Sequence, residues 1–349
     1  MEALLEKKDI RVLSLEGLKE VFAGIGEPAY RAVQVYEWLW KKPVSDFESM
    51  SNLSKDLRRY LDENYAIRAV KVNNSQKSDD GTIKSSFRLF DGNLIEGVLI
   101  PAEERMTACV SSQVGCSLSC KFCATGYMDR KRNLDAAEIY DQVVLIDRQA
   151  RETYGFPLSN IVYMGMGEPL LNYKSMMDSV DRLTAADGLG LSYKRITVST
   201  AGIAKMIRRL GDDGAKFNLA LSLHAANDRK RNEIMPINEQ NSLEALRDAL
   251  KYYFSKTKNP VTYEYIVFNN FNDTLNDARE LALFCKHVPC KVNIIEYNPI
   301  EFADYRNTEE DKLDAFAGYL RTQGVNVHIR RSRGKDIDAA CGQLALKEK

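Results

Sequence analysis

Residues 106–126, MTACVSSQVGCSLSCKFCATG, pass from a short apolar segment directly into a loop with three cysteines at the spacing C-x3-C-x2-C. The first part, 107–112, reads as a β-strand, and the polar loop that follows places Cys116, Cys120 and Cys123 immediately beyond its end. Three thiolates on one short loop can hold three corners of a cubic iron-sulfur cluster and leave the fourth iron open to another ligand. Zinc competes for such a loop, but a structural zinc site takes four protein ligands, commonly as paired C-x2-C units. No second pair is present, and His224, His287 and His328 are distant in sequence. Three buried small hydrophobes are a poor alternative, because Gly115, Ser117, Ser119, Lys121 and Gly126 make this a polar loop. The spacing therefore favours a [4Fe-4S] cluster.

Working outward, further strands are predicted at 160–165, 195–200, 217–224, 262–268, 291–297 and 326–331. Helices fall between them, clearest at 136–150, where Ile139, Val143, Ile146 and Ala150 share a face, and at 243–254, where Leu243, Leu246, Leu250 and Tyr253 do. Alternation of strand and helix implies a parallel sheet, either doubly wound or a full or partial barrel. In a barrel the chemistry collects at the C-terminal strand ends. Gly165, Ser199, Ser222, His224 and Asn298 all fall there. Upstream, two Asp-Gly turn signals within 79–101 predict an antiparallel hairpin. Residues before it read as helical, and in the segment 30–42 Arg31, Gln34 and Trp38 share one face, which is expected to be core. The expected organisation is α/β: a helical domain at 1–66, a hairpin connector at 67–101, and a partial (β/α) barrel at 102–349.

Composition narrows the function classes. The chain has 349 residues, 44% hydrophobic and 28% charged, with 49 basic and 49 acidic side chains. A net charge of zero advertises neither nucleic acid nor membrane, so any RNA contact must come from local patches such as Arg130–Arg132 and Arg330–Lys335. No apolar run is long enough to span a bilayer, and the N-terminus has no signal-like core, so a cytoplasmic location is expected. In that reducing compartment seven cysteines argue for metal or redox chemistry rather than a disulfide framework. Cys109 and Cys341, taken alone, read as small buried hydrophobes, as do Cys285 and Cys290. Glu96 reads as a strand residue facing solvent.

The cysteine loop resembles that of the radical SAM superfamily. With MGMGEPLLN (164–172), SLHAANDRKRNEIMPIN (222–238), YNP (297–299) and RGKDIDAACGQL (333–344), the chain resembles the RlmN family of RNA adenosine-C2 methyltransferases along nearly its whole length. The resemblance implies a [4Fe-4S] cluster on Cys116, Cys120 and Cys123. It also implies S-adenosylmethionine (SAM) held by Gly167, Glu168, Ser199, Ser222, Leu223, His224 and Asn298, with two SAM molecules consumed per turnover. It further implies that Cys341 carries the methyl group, that Cys109 resolves the enzyme–RNA link through a transient disulfide, and that Glu96 exchanges a proton. The implied substrates are an adenosine in the peptidyl transferase centre of 23S rRNA and the adenosine 3′ of the tRNA anticodon. An electron donor such as flavodoxin or ferredoxin and a monomeric state are implied too. Two alternatives remain open: a Cfr-like carbon-8 methyltransferase conferring antibiotic resistance, and a non-catalytic RNA-binding protein stabilised by metal. Pro169 after Gly167-Glu168 and Arg333-Gly334 resemble the carbon-2 enzymes. Glu296 departs from the family's usual proline and leaves the local shape of the cofactor rim near Asn298 open.

Overall fold

The computed structural model describes residues 7–346. Among the described residues a two-residue strand (Lys8–Asp9) and a 3-10 turn (Ile10–Val12) precede three α-helices, α1 (Leu15–Gly24), α2 (Ala29–Trp40) and α3 (Lys55–Asn64). Ser14 and Ser54 start α1 and α3 by accepting hydrogen bonds from the amides of Gly17 and Leu57. Helix α2 buries Ala32, Val35, Tyr36, Leu39 and Trp40, so the face with Arg31, Gln34 and Trp38 is not the core. These three stay half-buried at the surface, where Arg31 Nη1 donates to Gln34 Oε1 and Asn52 O, both at 2.9 Å. The stripe at 32, 35, 36 and 39 is the more apolar one, and it wins the interior.

A buried ion network fastens this domain to the rest. Arg11 Nη1 donates to both carboxylate oxygens of Asp141 (2.8 and 2.9 Å), and its Nη2 lies 3.1 Å from Asp9 Oδ2. Burial alone would lower the Arg11 pKa, but Asp141 and Asp9 outweigh it and raise it above its ordinary value. Arg11→Met leaves two carboxylates buried and unpaired, and is expected to cost about 3–5 kcal/mol. A denaturant midpoint equal to wild type would contradict that expectation.

The remainder is built on ten strands: β1 (Lys71–Lys77), β2 (Ile83–Arg88), β3 (Leu94–Ala102), β4 (Arg105–Cys109), β5 (Leu158–Tyr163), β6 (Ile196–Thr200), β7 (Asn218–Ser222), β8 (Val261–Ile266), β9 (Cys290–Ile295) and β10 (Asn326–Arg330). They form one sheet in unbroken chain order, antiparallel from β1 to β4 and parallel from β4 to β10. Among the described residues no pairing joins β10 back to β1, so the sheet is open, as a partial barrel requires. All seven barrel strands expected from sequence are present. The hairpin is present as well, but it continues the barrel sheet rather than standing apart as a connector. At its turns Gly81 and Gly92 adopt φ of 88° and 82°, which glycine takes without strain.

Between the parallel strands run α4 (Ala136–Tyr154), α5 (Tyr173–Thr184), α6 (Ala204–Asp212), α7 (Asp228–Ile234), α8 (Leu243–Thr257), α9 (Leu275–Cys285) and α10 (Glu310–Thr322). Asp135 and Glu138 form a reciprocal capping box at the start of α4. All six residues of β8 are buried, as expected of a parallel strand covered on both faces. The C-terminal strand ends lie along one edge of the sheet, and the cysteine loop meets residues 341–344 there. Among the described residues no helix is long and apolar enough to cross a membrane.

Candidate active site

The loop after β4 closes tightly on itself. A Cβ at Gly126 would stand 2.6 Å from Cys120 O, so only glycine permits this turn. Cys123 N donates to Cys120 O (3.2 Å), Gly126 N to Cys123 O (2.9 Å), and Lys121 N ties the loop to Ile234 O at the end of α7 (3.0 Å). Cys116, Cys120 and Cys123 thereby line one cavity at the strand ends. Burial raises all three thiols, Cys116 to about 11, so each resists ionisation without a cation nearby. Cationic irons supply that missing charge, and three soft donors on one rim suit a cubane. Among the described residues no three His, Cys, Asp or Glu side chains are arranged to hold a single metal ion, as a mononuclear zinc site would need.

The facing wall carries most of the sequence-expected cofactor residues. Gly167, Glu168, Ser199, Ser222 and His224 line the same cavity. Gly167 has φ 91°, and a Cβ there would approach Gln113 Cβ to 2.4 Å. That close approach lets Gln113 Oε1 accept from Glu168 N at 2.8 Å. The Glu168 carboxylate accepts from the amides of Ala201 (2.8 Å) and Leu170 (3.0 Å), while burial pushes its pKa upward. The hydroxyls of Ser199 and Ser222 lie 3.3 Å apart. His224 has φ 53° and its Nδ1 accepts from Ile266 N at 3.1 Å. Burial, aided by Arg231, lowers its pKa to about 3, so the imidazole is neutral and already satisfied at that nitrogen.

Two expected pocket residues do not border this cavity. Leu223 is wholly buried, and its amide donates to Glu264 O (3.0 Å). Asn298 lies behind the wall, where its Nδ2 donates to Cys341 O at 3.2 Å and Oδ1 has no partner. Two residues were missed. Arg231, completely buried, donates to Ala201 O, Ser222 O and Leu223 O, and so cross-links the ends of β6 and β7. Glu264 on β8 accepts from Asn293 Nδ2 at 2.9 Å, and its other oxygen is buried without a hydrogen bond, 3.8 Å from Arg330 Nη1.

A second cavity adjoins the first and is lined by Cys109, Arg105, Arg330 and Arg333. Met164, Glu264, Ile295, Cys341 and Gly342 border both, so Cys341 stands at the junction with Cys109 on one side and the cluster loop on the other. Cys341 is exposed to this space, yet the surrounding protein still desolvates its thiol and raises it, against the pull of Arg330. Cys109 is buried, and burial together with the nearby Cys341 raises its thiol strongly. Glu96 faces neither solvent nor cavity: it is 4% exposed, and its carboxylate is covered by the backbone of Ala345 and Leu346.

The two basic stretches are partly spoken for. Arg132 is paired with Asp91 (2.6 Å) and Glu138 (2.8 Å), and Arg331 and Lys335 both bind Glu296 (3.0 and 2.8 Å). Burial opposes the Glu296 charge, but Lys335, the Ser332 amide and Arg331 outweigh it and hold the carboxyl at about 2. The family departure at Glu296 thus anchors the chain leading to Cys341. Cys285 ends α9 and Cys290 begins β9, and neither lines the two cavities; Cys290 Sγ donates to Cys285 O (3.5 Å).

Residues 8–67 match the N-terminal domain of ribosomal RNA large subunit methyltransferases, and residues 110–284 match the radical SAM superfamily. A probable dual-specificity RNA methyltransferase RlmN of Cytophaga hutchinsonii is 61% identical over 99% of this chain and 94% of its own length. The chain belongs to the RlmN family. An RlmN protein of Christiangramia forsetii is 53% identical over 98% of this chain and 97% of its own. The crystal structure of a radical SAM methyltransferase from Sphaerobacter thermophilus, 40% identical, superposes with a TM-score of 0.92 over 97% of this chain and 100% of that one. As an RlmN family member the protein is a methyltransferase whose cofactors are a [4Fe-4S] cluster and SAM. The three-cysteine cavity has the donor set that the cluster needs.

Proposed function

We propose that this protein methylates carbon 2 of an adenosine in 23S rRNA and of the adenosine 3′ of the tRNA anticodon, with Cys341 as methyl carrier and Cys109 as resolving thiol. The observation that carries the reading is the place of Cys341, in the wall common to the cluster cavity and the Cys109 cavity. Carbon 2 of adenine is electron-poor and cannot attack the methyl of SAM as an amine would, so a relay through a protein sulfur answers the chemistry.

When bound, the cluster and SAM supply an activated methyl group and the one-electron chemistry that removes a hydrogen atom from a methyl carbon. Cys116, Cys120 and Cys123 hold the cluster as thiolates. Glu168 keeps acceptor capacity beyond its two amide hydrogen bonds and would receive the ammonium of SAM, while Ser199, Ser222 and His224, which line the same cavity, would frame the rest of the molecule. Asn298 fixes the carbonyl of Cys341 and so acts on the methyl carrier. Cys341 loses its thiol proton and, as thiolate, would take the methyl carbon as the bond from that carbon to the sulfonium sulfur of SAM breaks and its electron pair stays with that sulfur. That carbon, after giving one hydrogen atom to the radical that bound SAM would supply, would be joined to adenine carbon 2, and the odd electron left when carbon 2 gives up its proton would pass to the cluster. Cys109 as thiolate attacks the Cys341 sulfur, the carbon–sulfur pair leaves with carbon, and a disulfide forms, which two electrons from an external reductant reopen. Glu96 is the group that the family resemblance assigns to the proton lost from carbon 2.

Residues 1–66 are proposed to grip RNA, while the hairpin within 67–101 extends the sheet of the barrel at 102–349; the family match at 8–67 supports the first boundary. Arg105, Arg330 and Arg333 at the second cavity are the phosphate contacts that the geometry favours. A cytoplasmic monomer served by flavodoxin or ferredoxin completes the reading. Glu168→Gln is expected to weaken SAM binding about tenfold or more, as loss of a charged hydrogen-bond acceptor does. Equal dissociation constants by calorimetry would remove Glu168 from the pocket. Anaerobic incubation of cluster-loaded protein with SAM, reductant and unmethylated RNA, followed by nucleoside mass spectrometry, tests the function. It is expected to yield 2-methyladenosine; 8-methyladenosine would assign the carbon-8 reaction instead, and no methylated adenosine would overturn the reading.

A further inference from the structure

Glu96 stands in the middle of β3, and its carboxylate borders neither cavity. Its Oε2 accepts from two successive backbone amides, Ala345 (3.0 Å) and Leu346 (3.3 Å), and its Oε1 lies 3.5 Å from Lys84 Nζ. Charge-assisted hydrogen bonds of this kind are the stronger class, and these are shielded from water.

The rest of the segment around Cys341 is held by other elements of the site. Asn298 Nδ2 donates to Cys341 O (3.2 Å), Ala124 N to Gly342 O (2.7 Å), and Thr125 Oγ1 to Leu344 O (2.7 Å). Ala124 and Thr125 belong to the cluster loop, directly after Cys123. Cys341 is therefore suspended between the cluster loop and Glu96. Glu96 is also two positions from Val98, the register partner of Cys109 on the neighbouring strand. Residues two apart on a strand point the same way, about 6.6 Å apart, so the tail is fastened beside the resolving thiol.

We propose that Glu96 is a positioning residue for the methyl carrier, its carboxylate fastening Ala345 and Leu346 so that the Cys341 sulfur is presented between the cofactor cavity and Cys109. The inference rests on the carrier and resolving roles proposed above for Cys341 and Cys109, and it is separate from any proton that Glu96 exchanges with substrate.

The test uses cluster-loaded protein whose Cys341 is unmethylated by mass spectrometry, as wild type, Glu96→Ala, Glu96→Gln, and a form ending at Leu344. Two readouts need no RNA: the rate of Cys341 alkylation by iodoacetamide, and the equilibrium of the Cys109–Cys341 disulfide against oxidised and reduced glutathione. Glu96→Ala and the shortened form are expected to alkylate about tenfold faster and to lower the effective concentration of the thiol pair about tenfold. Glu96→Gln, which keeps one acceptor oxygen, falls between them and wild type. All forms matching wild type in both readouts, even with RNA methylation lost, would overturn the proposal and leave Glu96 a proton-transfer group alone. Cluster absorbance reports folding, and the shortened form, which keeps Glu96 and removes only the half-buried Leu346 from the edge of the core, decides the matter should Glu96→Ala not fold. A wild type that never forms the Cys109–Cys341 disulfide would sink the functional reading, while the alkylation rates would still decide this inference.

Discussion

Replacing Cys341 with alanine is expected to abolish RNA methylation while leaving the cluster and SAM binding intact. The side chain belongs to the wall shared by two cavities, and it is the thiol there outside the cluster-binding loop that opens to both sides. Alanine removes the nucleophile and nothing on which the fold depends, since the neighbouring hydrogen bonds to Cys341 and Gly342 go to backbone oxygens. Of Met164, Glu264, Ile295, Cys341 and Gly342, which border both cavities, Cys341 alone carries a thiol, so activity should fall to background rather than by a partial factor. Iron and sulfide content and the visible spectrum should match wild type. A variant that still methylates RNA would show that the methyl group does not pass through this sulfur.

Cys109→Ala should fail differently. The first half of the reaction needs Cys341 and the cofactor cavity, and Cys109 lines the second cavity but not the first. Without a thiolate to attack the Cys341 sulfur, the bond between enzyme and RNA has no exit, so a covalent adduct should accumulate to nearly one RNA per active enzyme. Denaturing electrophoresis and nuclease digestion would reveal it as a nucleotide mass on the Cys341 peptide. Burial raises the Cys109 thiol, with Cys341 adding to that effect. Absence of any adduct under conditions where wild type turns over would remove Cys109 from the resolving role.

Much of the fold was legible in local pattern. The seven barrel strands are short apolar runs bounded by polar turns, and sheet pairing preserved every one. The helix α9 could have been found from Thr274 and Asp277, which form a reciprocal capping box at its start. The site was legible where one loop supplies it, as with Cys116, Cys120 and Cys123. It was not legible where distant backbone supplies the partner. Arg231 stands in a run of charged residues indistinguishable by sequence from Arg229 and Lys230, and its carbonyl partners on Ala201, Ser222 and Leu223 come together only in the fold. Glu96 reads as a solvent-facing strand residue because nothing nearby predicts that a segment some 250 positions later will cover it. Basic runs mislead for the related reason that Arg132, Arg331 and Lys335 find carboxylates remote in sequence.

The central claim, that the transferred carbon rests on Cys341 and loses a hydrogen there, is tested most directly with SAM carrying a fully deuterated methyl group. After turnover with the wild-type protein, the methyladenosine recovered from RNA should retain two of the three deuteriums, because one leaves while the carbon is bound to sulfur and a proton replaces it. A product that keeps all three would mean direct transfer of an intact methyl group and would contradict the account.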